Sequence, residues 1–173
     1  MSEAPLNETV PFEIERRFLI CMPGSDWFIS NTEYTLIKQT YLVAPEGQTA
    51  RVRIRGRDGN YRYTHTVKTR LSSIRRIERE REIDKAEYEK LLLTADPARR
   101  TIEKRRYIVM YLGQRFEVDI FPFWNDRAII ELELEDEGQK ITLPPDLTLI
   151  KEITDDNRYT NASLAKEVIC EDL

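Results

Sequence analysis

The segment Arg51-Val52-Arg53-Ile54-Arg55 alternates basic with apolar β-branched residues at every position. Successive side chains of a strand point to opposite faces, so the three arginines share one face and Val52 and Ile54 the other. The segment Ala128–Glu135 repeats the pattern with the opposite sign. It sets Glu131, Glu133 and Glu135 against Ala128, Ile130, Leu132 and Leu134. A chain assembled from such segments is driven toward an antiparallel sheet with one charged face and one apolar face.

Six further segments carry the same period. Phe12–Ile20 places Glu13, Glu15 and Arg17 on one face. Glu13 and Glu15 would stand roughly 7 Å apart there, and they repel unless a cation or basic side chains lie across from them. Leu36–Val43 puts Gln39 and Tyr41 together, and Tyr61–Lys68 does the same for Thr64, Thr66 and Lys68. Arg75–Asp84 aligns Arg76, Glu78, Glu80 and Glu82. Thr101–Tyr111 aligns Lys104 and Arg106, and Gln114–Phe121 aligns Arg115, Glu117 and Asp119. Asp58-Gly59 is a strong two-residue hairpin signal between two of these strands. Asp26–Ile29 predicts a helical turn packed on the core. Asp84-Lys85-Ala86-Glu87 resembles a capping box and opens a helix presenting Tyr88, Leu91, Leu92 and Ala95, which stops before Pro97. A last helix is expected over about residues 160–169. The sum predicts an α+β fold, an eight-stranded antiparallel closed β-barrel with a few covering helices, forming a single domain over residues 1–173.

Composition narrows the function. Charged residues make up 34% of the 173-residue chain, and they concentrate inside the strand-like segments rather than in tails. The net charge of −4 is the small difference between 31 acidic and 27 basic residues, which disfavours simple adhesion to nucleic acid. The two cysteines, Cys21 and Cys170, have no Cys-x-x-Cys spacing, so a cysteine zinc site is not expected. No basic-then-apolar leader opens the sequence, and no apolar run approaches the roughly 20 residues that span a bilayer. The expectation is a soluble, cytoplasmic protein with neither nucleic acid nor membrane as partner.

Periodicity leaves two placements of the charged faces open. They face solvent around an apolar interior, or they line a wet lumen whose apolar exterior is partly covered by helices. Segregation of sign by strand argues for the lumen, because a like-charge run is costly unless a ligand of opposite charge meets it. Such a lumen has a basic wall suited to phosphate oxygens and an acidic wall suited to a hard divalent cation. Together they describe a site for a metal-bound oligophosphate.

At this point the residues become recognisable. Glu13-Ile14-Glu15-Arg16-Arg17 resembles the Glu-x-Glu-x-Lys signature of the CYTH family, the triphosphate tunnel metalloenzymes. Gln39-Thr40-Tyr41-Leu42, Arg53-Ile54-Arg55, Thr66-Val67-Lys68, Arg76 with Glu78 and Glu80, and Glu103-Lys104-x-Arg106-Tyr107 are similar to its successive strands. Glu117-x-Asp119, Glu131-x-Glu133, Glu152-Ile153-Thr154 and Arg158-Tyr159-x-Asn161 resemble the remainder of its pattern. The resemblance implies a tunnel that binds a small-molecule triphosphate and requires Mg²⁺ or Mn²⁺. It implies Glu13, Glu15, Glu131 and Glu133 as metal ligands with Asp119 assisting. Arg17, Arg53, Arg55, Lys68, Arg76, Lys104 and Arg106 are implied as phosphate contacts. Arg17 stands where the family usually carries Lys; it keeps the charge but alters the geometry and cannot act as a base.

The implied reaction is water attack on a terminal phosphoryl group, foremost of inorganic tripolyphosphate, giving diphosphate and phosphate. Thiamine-triphosphatase and class IV adenylate cyclase activities occur on the same scaffold, and a non-catalytic polyphosphate- or nucleotide-binding module is the rival of another class. The base is either a metal-bound water or Lys104 among cationic neighbours, with Tyr41 assisting if the two meet across the lumen. The lone His65 has no Cys or His partner and is expected on a wall or the surface. Trp27, Trp124, Phe121 and Phe123 are expected in the core or as a cover on the barrel.

Overall fold

A computed structural model describes residues 14–71, 76–171 and 173, together with the backbone but not the side chain of Arg76. Among the described residues nine strands form one antiparallel sheet: β1 (Ile14–Cys21), β2 (Thr35–Leu42), β3 (Gln48–Arg57), β4 (Asn60–Arg70), β5 (Arg76–Ile83), β6 (Ile102–Tyr111), β7 (Gln114–Ile120), β8 (Arg127–Leu134) and β9 (Leu149–Glu152). Their spatial order is β5-β4-β3-β2-β6-β7-β8-β1-β9. Two features of the expected barrel are thereby corrected. A ninth strand is present, and among the described residues β5 and β9 are edges, so no backbone hydrogen bonds between described residues close the sheet. The ninth strand pairs with β1 from Phe18↔Glu152 to Ile20↔Leu149, and a bidentate contact from Arg16 to Glu152 (2.7 and 2.7 Å) holds it there.

Local chemistry explains the connections. Arg57↔Asn60 closes the β3–β4 hairpin around Asp58 (φ 53°) and Gly59 (φ 83°), the left-handed pair a type I′ turn requires. At Gly56 (φ 155°) a Cβ would stand 2.0 Å from the Asn60 carbonyl oxygen, so only glycine fits. Helix α2 (Lys85–Leu92) starts on the Asp84 carboxylate, which accepts from the Glu87 amide at 2.7 Å. It ends earlier than the pattern suggests; Ala95 instead bridges back to Leu42.

The sheet has two unlike faces. On the outer face Phe18, Ile20, Phe116, Val118, Ile130 and Leu132 pack with Trp27 of α1 (Ser25–Ser30) and with Leu147. Val52, Ala50 and Ile83 pack with Tyr88 of α2. Burial of each large apolar side chain here contributes about 1.5–3 kcal/mol. The inner face gathers Glu15 and Arg17 of β1, the arginines of β3, Lys104 and Arg106 of β6, Glu117 and Asp119 of β7, and Glu131 and Glu133 of β8. It changes character along the strands. At one end Leu19, Tyr41, Ile102, Phe121 and Ile129 are sealed by Trp124, by Ile153, by Tyr159 of a 3₁₀ turn (Asn157–Tyr159) and by Leu164 of α3 (Asn161–Lys166). At the other end Glu15, Glu133 and Arg55 are exposed. Helices α1 and α2 therefore cover part of the apolar outside, as the sequence predicts, and both tryptophans are buried, Trp27 under the outer face and Trp124 in the seal of the inner end.

Candidate functional site

Between the sealed end and the open rim, the inner face buries polar side chains that a sheet facing bulk water would leave exposed. Gln39, Thr66, Lys104 and Asp119 are all buried. Strand register brings them together: Gln39 lies opposite Arg53 on β3 and Ile102 on β6, and Arg106 lies opposite Asp119 on β7.

The basic half centres on Arg53. Its guanidinium donates twice to the Gln39 Oε1 (Nε 3.1 Å, Nη2 2.8 Å), a neutral acceptor. Burial first, then the neighbouring charges of Arg51, Arg106 and Arg55, push its pKa down to about 10 despite some relief from Glu80. Arg51 reaches Glu78 and Glu80 only loosely, at 3.8 and 3.9 Å, and its sealed Nε has no hydrogen-bond partner among the described residues. Lys68 pairs with Glu78 at 3.1 Å, and Thr66 donates to Glu80 at 2.7 Å. This half holds positive charge that its own carboxylates do not fully compensate.

The acidic half is tied to three cations. Asp119, fully buried, accepts from Arg106 Nε and Nη2 (2.7 and 2.8 Å) and from Lys104 Nζ. Arg106 also pairs with Glu131 at 3.0 Å and with Glu117. Arg17 donates to Glu131 (3.2 Å) and to the Tyr159 carbonyl (2.7 Å), and lies 3.6 Å from Glu15. Burial is the largest single influence on Asp119 and works to raise its pKa. Lys104 and Arg106 together outweigh it, so the carboxyl sits below its usual range. Burial similarly opposes the charge on Arg106, but Asp119, Glu131 and Glu117 prevail and push it up.

A family model for the CYTH domain matches residues 11–165. The chain belongs to the CYTH domain family. It is 32% identical over 161 residues to an inorganic triphosphatase of Nitrosomonas europaea, covering 90% of this chain and 98% of that protein. A crystal structure of an inorganic triphosphatase superposes with a TM-score of 0.63 at 29% identity, covering 91% of this chain and 97% of the other. A second crystal structure, of a hypothetical protein, gives 0.65 at 30% identity over 91% and 100%.

Within this CYTH domain the structure places the expected residues unevenly. Arg17, Arg53, Lys68, Lys104, Arg106, Asp119 and Glu131 gather on the inner face, with Glu15, Glu133 and Arg55 at the rim. Glu13 and the Arg76 side chain lie outside the described residues. Tyr41 and Lys104 are not joined by a hydrogen bond: the Tyr41 hydroxyl accepts from Gln39 Nε2 at 2.7 Å, and Lys104 is held by Asp119. Lys104 is thus in contact with a carboxylate, not only with cations as the sequence suggests. Three residues outside the implied metal and phosphate sets join this cluster: Arg51 and Glu117, which share strand parity with Arg53 and Asp119, and Gln39, a neutral residue with no charge signal in the sequence.

The donor set at the rim suits a hard divalent cation. Glu15, Glu117, Glu131 and Glu133 line a cavity of about 250 Å³. Burial and then the charge of Glu131 raise the Glu15 pKa, although Arg17 and Arg106 pull the other way. Carboxylates that crowd one another in this way are relieved by a cation with oxygen preference. Among the described residues no three of them are drawn together to coordinate, and Glu131 is shared between Arg17 and Arg106.

Proposed function

We propose that this protein hydrolyses a triphosphate, foremost inorganic tripolyphosphate, to diphosphate and phosphate. The observation that carries the reading is Arg53: a half-buried guanidinium flanked by Arg51, Arg55 and Arg106 whose partner is a neutral amide. Charge held this way invites a polyanion, and the linear array along β3 suits a chain of phosphates. The similarity to an inorganic triphosphatase over nearly the whole chain supports the class of substrate. The packed aromatic end, with Tyr41, Phe121, Trp124 and Tyr159, supports a substrate without a bulky organic group there.

In this reading Arg51, Arg53, Arg55 and Lys68, with Arg76, bind the phosphate chain along the basic wall. Arg106 and Lys104, aligned by Asp119, donate to the phosphoryl oxygens as negative charge moves to the leaving diphosphate. The ion pair with Asp119 equips Lys104 as a donor and not as a base, since an ammonium has no lone pair with which to take a proton. Glu15, Glu131 and Glu133, with Glu13, would hold Mg²⁺ or Mn²⁺. Such an ion supplies Lewis-acid polarisation of a phosphoryl oxygen and a water of lowered pKa. Water attacks the terminal phosphorus in line, the bond to the bridging oxygen breaks, and that oxygen keeps the electron pair. Phosphate release from tripolyphosphate, with and without Mg²⁺, tests the proposal. Turnover that depends on the metal is expected. Tight binding without turnover would make the protein a binding module, and faster turnover of thiamine triphosphate or ATP would reassign the substrate.

A further inference from the structure

Gln39 sits at the centre of the inner face, sealed from solvent, with an orientation its neighbours leave no freedom to reverse. Arg53 offers two N–H donors, so the amide oxygen must face it (3.1 and 2.8 Å); the amide nitrogen therefore faces the Tyr41 hydroxyl (2.7 Å). That contact uses the Tyr41 oxygen as an acceptor. Among the described residues no hydrogen bond takes the Tyr41 proton, and the charged groups nearest its ring and hydroxyl are the donors Arg51 and Arg99. One neutral side chain thus sets both the plane of the Arg53 fork and the direction of the Tyr41 hydroxyl.

We infer that Gln39 is a positioning residue, which aims Arg53 and the Tyr41 hydroxyl at an oligophosphate while leaving the charge of Arg53 uncancelled. The role rests on the triphosphate reading above. Its physical content lies in the choice of an amide. A carboxylate at this place would grip Arg53 more strongly, because it would add the attraction of opposite charges to a fork that now meets only the dipole of an amide. It would also neutralise Arg53 and accept the Tyr41 proton, removing a charge and a donor from the phosphate path together. An apolar side chain of the same length would leave Arg53 charged but free to turn away. Arg51 carries the complementary sign of the same design: its Nε is sealed and unpartnered beside this pair.

Three variants test the role, with tripolyphosphate affinity read by calorimetry without added metal and melting temperature read without ligand. Gln39→Glu is expected to melt at or above the wild-type temperature while binding tripolyphosphate at least about tenfold more weakly, the loss expected for one charge-assisted contact. A residue that serves only packing would show the two readouts falling together or neither moving. Gln39→Met is expected to weaken binding several-fold in the wild-type background and clearly less in an Arg53→Ala background, where only its hold on the Tyr41 hydroxyl remains to be lost. This cycle decides the matter even if Gln39→Glu does not fold. Wild-type affinity in Gln39→Glu, or full additivity of Gln39→Met with Arg53→Ala, overturns the role alone. A wild-type protein that fails to bind tripolyphosphate overturns the functional reading, and this role with it.

Discussion

Replacing Asp119 by Asn removes the most deeply buried charge on the inner face and changes almost no volume. Asp119 accepts two hydrogen bonds from Arg106 and one from Lys104. The two cations do not lose equally. Arg106 keeps Glu131 at 3.0 Å and Glu117, so it stays compensated. Lys104 has no other acceptor among the described residues and is buried, so its ammonium is left without a counter-ion. Breaking one side of a buried pair costs about 3–5 kcal/mol, and the amide oxygen that remains puts Asp119→Asn near the lower figure. That is a large part of a stability of about 5–15 kcal/mol. Urea unfolding should show the midpoint falling with an unchanged slope.

The effect must also depend on pH with a definite sign. The folded carboxyl lies below its unfolded value, so its contribution is complete above the ordinary aspartate pKa of about 3.9 and vanishes as the pH falls through the depressed folded value. Wild type and variant should therefore converge in acid. Tripolyphosphate should stabilise both proteins, by about 2.7 kcal/mol at a hundredfold excess over its dissociation constant. A loss below about 1 kcal/mol near neutral pH, or a difference that persists in acid, would refute the ion-pair account.

Other perturbations separate the parts of the site. Arg53→Ala should weaken tripolyphosphate binding roughly 10- to 100-fold at every metal concentration, as expected for losing a charge-assisted contact, and equilibrium titration reads this directly. Glu133→Gln, at the exposed rim, should raise the Mg²⁺ or Mn²⁺ needed for half-maximal phosphate release while leaving the melting temperature unchanged; a kinetically silent variant would remove Glu133 from the metal set. Away from the site, the hydrogen bonds from Arg16 and Thr154 hold the Glu152 carboxyl down to about 2. Its help to the β1–β9 pairing is thus present above the usual glutamate range and lost as the pH falls toward that value. Glu152→Gln should melt below wild type near neutral pH and together with it in strong acid, whereas a constant gap would contradict the assignment.

Much of the site was readable before any fold was known, because strand parity is a covalent property. Arg53 and Arg55 must share a face, as must Glu131 and Glu133, wherever their strands lie. Asp58-Gly59 and the Asp84 cap were legible for the same reason: their chemistry is satisfied within four residues. The misses have physical causes too. The strand Leu149–Glu152 is short and lacks alternation, and its pairing with β1 depends on Arg16 meeting Glu152 across 136 positions of sequence.

The amino-acid order alone thus decided which side chains travel together on each strand face, and so that one face of the sheet would be charged. It left undecided whether that face meets water, which end is sealed, and which cation answers which carboxylate. Those depend on strand order and on distances between residues far apart in sequence, as when Arg17 of β1 reaches Glu131 of β8 and the carbonyl of Tyr159. Only the folded sheet, with Trp124, Tyr159 and Leu164 closing one end, turns a pattern of signs into a site with a sealed floor and an open rim.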